Sequence, residues 1–127
     1  MNSAQLSENL KKVRATINTY GSKKVRLIAV SKNFPIEYIN CLIDNGHLEF
    51  GENYLQEAEE KMDEVGDGVI WHFIGSIQSR KAKRISELFD WVHTVDSLKV
   101  AKKLDTFRPI EKGPLNVCVQ ILSLIHI

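Results

Sequence analysis

The chain has 127 residues, 43% hydrophobic and 26% charged, which is enough for one domain with a buried core. Seventeen basic and sixteen acidic side chains leave a net charge of +1, so no global field pulls it toward nucleic acid or an anionic membrane. No apolar run approaches a membrane span, and Met1-Asn2-Ser3-Ala4-Gln5 lacks the basic and apolar regions of a signal peptide, so a cytoplasmic protein is expected.

Leu6, Leu10, Val13 and Ile17 predict an amphipathic helix, with Ser3 as N-cap and Gly21 as stop. Val25-Arg26-Leu27-Ile28-Ala29-Val30-Ser31-Lys32 reads as a buried strand that closes on a lysine. After Pro35, Ile36, Ile39, Leu42 and Ile43 form a helical stripe that Asn45-Gly46 ends. A short strand over residues 47–52 leads to Asn53, a candidate N-cap with Gln56 as its capping-box partner. Leu55, Ala58, Met62 and Val65 face inward from the helix that follows. Val69 to Ile74 is apolar except for His72, and Ala82, Ile85, Leu88 and Phe89 stripe the next helix. Trp91 to Val95 predicts a fourth strand, Ser97 a cap, and Leu98, Ala101, Leu104 and Phe107 another buried face. Leu115, Val117, Val119 and Ile121 alternate with polar residues in a fifth strand. Cys41 and Cys118 show no metal-ligand spacing, sit in apolar-periodic segments and are expected as buried free thiols.

Strand starts at 26, 47, 69, 91 and 115 give strand-plus-helix units of 21 to 24 residues. Such alternation implies parallel strands joined by right-handed crossovers. A five-stranded doubly wound sheet suits this length; an eight-unit βα barrel typically takes ~250 residues. No helix follows the fifth strand, so the chain reads as cut off inside an architecture that continues.

In both architectures ligands gather at the carboxyl ends of the strands. Here those ends supply Lys32, Glu52-Asn53, His72 and Gly75, and Asp96. A lysine ending an apolar strand either snorkels to water or offers an amine that can form a Schiff base with a carbonyl. Asn53 is either a helix cap or a pocket group, and His72, like His93, either a hydrogen-bonded core residue or a functional one. Arg80, Lys81, Lys83 and Arg84 form a basic run, more suited to a solvated helix face than to nucleic acid because no aromatic platform accompanies it.

Five blocks in this order, Leu27 to Lys32, Phe50 to Glu57, Trp71 to Gln78, Phe89 to Asp96 and Leu115 to Ile121, resemble the pyridoxal-phosphate homeostasis protein family. The resemblance implies an α/β fold: an N-terminal helix, then about five of the eight strands of an alanine-racemase-type TIM barrel, in place of the open sheet that length favours. Residues 1–121 would be the N-terminal portion of a single pyridoxal-phosphate-binding barrel domain, and 122–127 an apolar tail that leaves the family pattern. Arg80 also departs, standing where many members have asparagine.

The resemblance further implies that Lys32 carries pyridoxal 5'-phosphate as an internal aldimine, with Asn53 and His72 lining the pocket. The implied role is non-catalytic: a cytoplasmic cofactor carrier in vitamin B6 homeostasis, with apoenzymes that use the cofactor as possible recipients. A racemase-like or Schiff-base enzyme is the alternative. Five of eight strands would leave two unpaired edges and an uncovered interior, so association and weak cofactor retention are expected.

Overall fold

The first helix starts one residue earlier than its sequence signal suggests, because Asn2 caps it better than Ser3 does. In a computed structural model describing residues 1–21 and 24–121, the Asn2 side chain accepts the Gln5 N–H at 2.9 Å. The Gln5 side chain returns to the Asn2 N–H at 3.1 Å, so two orphan donors are satisfied. In this helix, α1 (Ser3–Tyr20), Leu10 is buried but Val13 is 44% exposed. Arg14 instead turns inward and donates to the Asn45 carbonyl at 3.2 Å.

The remaining elements follow as β1 (Ala29–Val30), α2 (Ile36–Asp44), β2 (Glu49–Glu52), α3 (Leu55–Val65), β3 (Ile70–Phe73), α4 (Ala82–Leu88), β4 (Trp91–Val95), α5 (Leu98–Phe107) and β5 (Asn116–Val119). The strand predicted over 25–32 pairs with β2 only at Ala29 and Val30, and the Ser31 N–H extends the ladder to the Gly51 carbonyl at 3.0 Å. Asn45 and Gly46 close α2 as expected, with Gly46 at a φ of 83°. Asn53 does not cap α3. Tyr54 stands at that position without a side-chain capping bond, and the Gln56 capping box does not form.

All five strands are parallel and lie in the order β1-β2-β3-β4-β5. A doubly wound sheet reverses direction at a switch point. Here every strand is laid beside its predecessor in one direction, as in the wall of a βα barrel. The expectation of a partial barrel therefore holds over the open sheet that length favours. One row of the register runs Val30, Gly51, His72, Trp91 and Asn116.

Alternation along the strands divides the side chains between two faces. On the helix side, Phe50, Trp71, Phe73, Val92 and Val95 pack with Ile39, Leu42, Ala58, Ala82, Ile85, Phe89, Val100 and Leu104 in one core. Phe73 meets Phe89 edge-on at 5.1 Å between ring centroids. Each fully buried large side chain contributes roughly 1.5–3 kcal/mol. On the opposite, barrel-interior face a Cβ at Gly51 would meet Ile28 and Ile74 at 3.2 and 3.1 Å, so glycine leaves room for both.

The thiols depart from expectation: Cys41 is only half-buried and Cys118 is exposed. Cys118 lies on β5, an edge strand of the described sheet whose residues are all exposed, so alternation there does not translate into burial. The tail read as 122–127 lies outside the described residues.

Candidate functional site

Lys32 stands in the turn between β1 and α2, exposed, at the carboxyl end of its strand. Val30 is in register with Gly51, so two residues further on Lys32 and Asn53 leave neighbouring strands at the same level. Asn53 is half-buried, yet its Oδ1 is fully buried and has no hydrogen-bond partner among the described residues. Gly75, at the end of β3, permits the approach of this loop: a Cβ there would lie 2.1 Å from the Asn53 carbonyl oxygen. A cleft of about 270 Å³ beside it is lined by Asn53, Tyr54, Phe73, Gly75, Gln78 and Lys81. Lys32 and Asn53 are thus brought to one rim.

His72 is not at that rim. It lies in the row below, 2% exposed, stacked on Trp91 at 5.7 Å. Its Nε2 lies 3.0 Å from Glu49 Oε1 and its Nδ1 2.9 Å from His93 Nε2. A carboxylate can only accept, so His72 donates from Nε2 and its Nδ1 accepts the Nε2–H of His93. Arg26 completes the chain on Glu49 at 2.5 and 3.2 Å and also covers the Trp91 ring at 5.1 Å. Burial lowers the His72 pKa and outweighs the hydrogen bond it donates to Glu49, whose charge Arg26 already balances. Burial opposes the charge of Glu49, but Arg26 and His72 outweigh it and hold that carboxyl below its usual range. His93 is likewise lowered by burial.

A second polar group lies beneath the rim on the helix side. Glu52 is 0% exposed and Lys61 8%. Lys61 Nζ donates to Glu52 at 3.0 and 3.2 Å and to the Ser31 carbonyl at 2.6 Å. The Ser31 hydroxyl donates to Glu52 Oε2, the oxygen that also accepts the shorter Lys61 bond. Burial raises the pKa of Glu52 against the pull of Ser31 and Lys61. One turn earlier on α3, both oxygens of Glu57 accept the Asn33 N–H at 2.9 Å. Asn33 itself has a φ of 62°, a left-handed conformation that asparagine tolerates.

Sequence reading missed Lys61, Glu57 and Glu49. Lys61 lies three residues after Ala58, on the inward face, but a lysine there reads as solvated unless its partner is known. Glu52 was legible only as a rim carboxylate. The basic run forms no concentrated patch: Arg84 is paired with Glu59 at 2.5 Å and lies 4.0 Å from Glu87. Among the described residues no helix is long and apolar enough to cross a membrane.

Residues 1–126 match the sequence profile of the alanine racemase N-terminal domain. The pyridoxal phosphate homeostasis protein of Escherichia coli K12 is 42% identical over 126 residues, covering 91% of this chain and 54% of that protein. Its namesake in Pseudomonas aeruginosa is 45% identical over 123 residues, with the same coverage. The structure of PipY from Synechococcus elongatus with pyridoxal phosphate bound superposes with a TM-score of 0.82 at 36% identity, covering 94% of this chain and 55% of that one. The chain thus spans about half the length of the relatives it matches.

Proposed function

This chain belongs to the alanine racemase N-terminal domain family, and from that premise we propose that it binds pyridoxal 5'-phosphate and serves vitamin B6 homeostasis. Similarity to homeostasis proteins over 91% of the chain supports the reading, as does a cofactor-bound structural neighbour. Residues 1–121 form, on this reading, the N-terminal portion of a single cofactor-binding barrel domain.

The observation that carries the proposal is the rim pair: an exposed Lys32 level with Asn53 on the neighbouring strand, whose carboxamide oxygen is buried and without a partner among the described residues. These residues fit the group. The cofactor supplies an electrophilic aldehyde. Lys32 would hold the cofactor covalently through its amine, the type of nucleophile that condenses with such a carbonyl. Asn53 has acceptor capacity left for a polar edge of the ligand. His72, one row below the rim and bonded to Glu49 and His93, would form the floor of the site.

The role is that of a carrier in the cytoplasm, which binds the cofactor without turning over a substrate and can pass it to apoenzymes. A racemase needs acid–base groups on both faces of the cofactor. Turnover of either alanine enantiomer would overturn the carrier reading. Binding is tested by mixing the chain with pyridoxal 5'-phosphate, reducing with borohydride and mapping the modified peptide. The label is expected on Lys32 and absent from Lys32→Ala. A label of equal yield in that variant refutes the assignment.

A further inference from the structure

We propose that Lys61 and Glu57 are positioning residues for Lys32: from neighbouring turns of α3 they pin the two peptide groups that flank it, and so aim its amine. The inference rests on the proposed cofactor chemistry of Lys32.

The geometry is specific to that residue. The Ser31 carbonyl belongs to the peptide bond before Lys32, and Lys61 Nζ holds it at 2.6 Å. The Asn33 N–H belongs to the peptide bond after Lys32, and Glu57 holds it with two oxygens at 2.9 Å. Fixing both peptide planes fixes φ and ψ at Lys32 and with them the direction of its Cα–Cβ bond. Both contacts are charge-assisted, the stronger class of hydrogen bond. The left-handed Asn33 turns the chain away immediately afterwards.

Stability alone gives α3 little reason to carry this arrangement. Apolar residues at positions 52 and 61 together would extend the Ala58 and Met62 face without burying a charge, and such a replacement of a buried ion pair is often no less stable. Lys61 requires Glu52 as its counter-charge, and Glu52 in turn holds the Ser31 hydroxyl. Every member of the group thus converges on residues 31–33. Glu57 and Lys61, 3.6 Å apart at i,i+4 spacing, keep the two clamps in step.

The test compares the parent chain with Glu57→Ala, Glu57→Gln and Lys61→Met. Readouts are the imine absorption band titrated with pyridoxal 5'-phosphate, the pH midpoint of that band, hydrogen exchange of the Asn33 amide and the thermal midpoint. Glu57→Ala is expected to weaken imine formation by about tenfold or more, the scale of a small misalignment. It should also shift the pH midpoint of the band and speed Asn33 exchange, with little change in thermal midpoint. Glu57→Gln, which keeps one acceptor, should recover most of the loss. Lys61→Met should weaken imine formation similarly. Where it does not fold, Glu52→Gln/Lys61→Met, which leaves no buried charge, carries the same expectation. Imine formation in Glu57→Ala equal to the parent overturns the proposal. So does an equal loss of non-covalent cofactor retention when Glu57→Ala is combined with Lys32→Ala, because aiming an absent amine cannot matter. A parent chain that traps no cofactor on Lys32 removes the cofactor reading and this inference together, a result distinct from the other two.

Discussion

Lys61→Met should be strongly destabilising, and more so at neutral than at acid pH. The substitution keeps the aliphatic length but removes an amine that makes contacts of 2.6, 3.0 and 3.2 Å to the Ser31 carbonyl and both Glu52 oxygens. Glu52 is 0% exposed, so no water replaces the lost cation, and among the described residues only the Ser31 hydroxyl remains on its carboxylate. Breaking a buried pair from one side costs about 3–5 kcal/mol. Against a total of roughly 5–15 kcal/mol for a domain, that is a large fraction. At roughly 4 °C per kcal/mol for this size, the thermal midpoint falls by about 12–20 °C. Burial already raises the Glu52 pKa, and loss of Lys61 raises it further. The penalty is therefore full above that raised value and shrinks as pH falls through it, where a neutral carboxyl replaces a buried charge. Urea denaturation followed by fluorescence of the buried Trp71 measures it at pH 8 and pH 5. Glu52→Gln/Lys61→Met should lose less than Lys61→Met alone. A loss below about 1 kcal/mol, or one equal at both pH values, would refute the reasoning.

Acidification should destabilise the parent chain from near pH 6.5 downward. His47, His72 and His93 all have pKa values lowered by burial, so the unfolded chain binds protons first. Glu49, lowered by Arg26 and His72 against its burial, adds a loss below its unfolded value, while the raised Glu52 acts in the opposite sense. Thermal midpoints from pH 8 to 5 should fall, with a shallower slope in His72→Gln; a flat profile contradicts the assignment. Gly75→Ala drives a methyl to 2.1 Å from the Asn53 carbonyl oxygen, so the loops at the ends of β2 and β3 must separate. A cost of about 1–3 kcal/mol is expected from chemical denaturation, and wild-type stability would show the approach to be relaxed elsewhere. Val119, 71% exposed on the β5 edge, should promote association of the chain. Sedimentation should show less association for Val119→Lys, and a monomeric parent at high concentration would rule the edge out.

Helix and strand order was legible because it depends on local periodicity and turn chemistry. Ser97 caps α5 through the Val100 N–H, Gly46 and Gly66 sit at positive φ after their helices, and Ala82, Ile85 and Phe89 bury the stripe their spacing predicts. The positions that failed depend on partners distant in sequence. Asn53 has the residue type of a cap, but Gly75 lets its loop press against the end of β3 and its oxygen stays unpartnered. Cys118 sits in an alternating strand, but β5 forms an edge of the described sheet.

Lys32 shows the same division within the candidate site. Its place at the end of an apolar strand is a local property, and the blocks around it carry the family resemblance without any coordinates. The sequence by itself determined the alternation of strands and helices and the residue types offered at their carboxyl ends. Only the tertiary structure decided that β1 to β5 run in one direction as a barrel wall and that His72 lies a row below the rim. It alone brought Lys61 and Glu57 onto the peptides flanking Lys32. Periodicity acts over one turn or one pleat, whereas these contacts join residues 24 and 30 positions apart and exist only once the sheet has set α3 against the first turn.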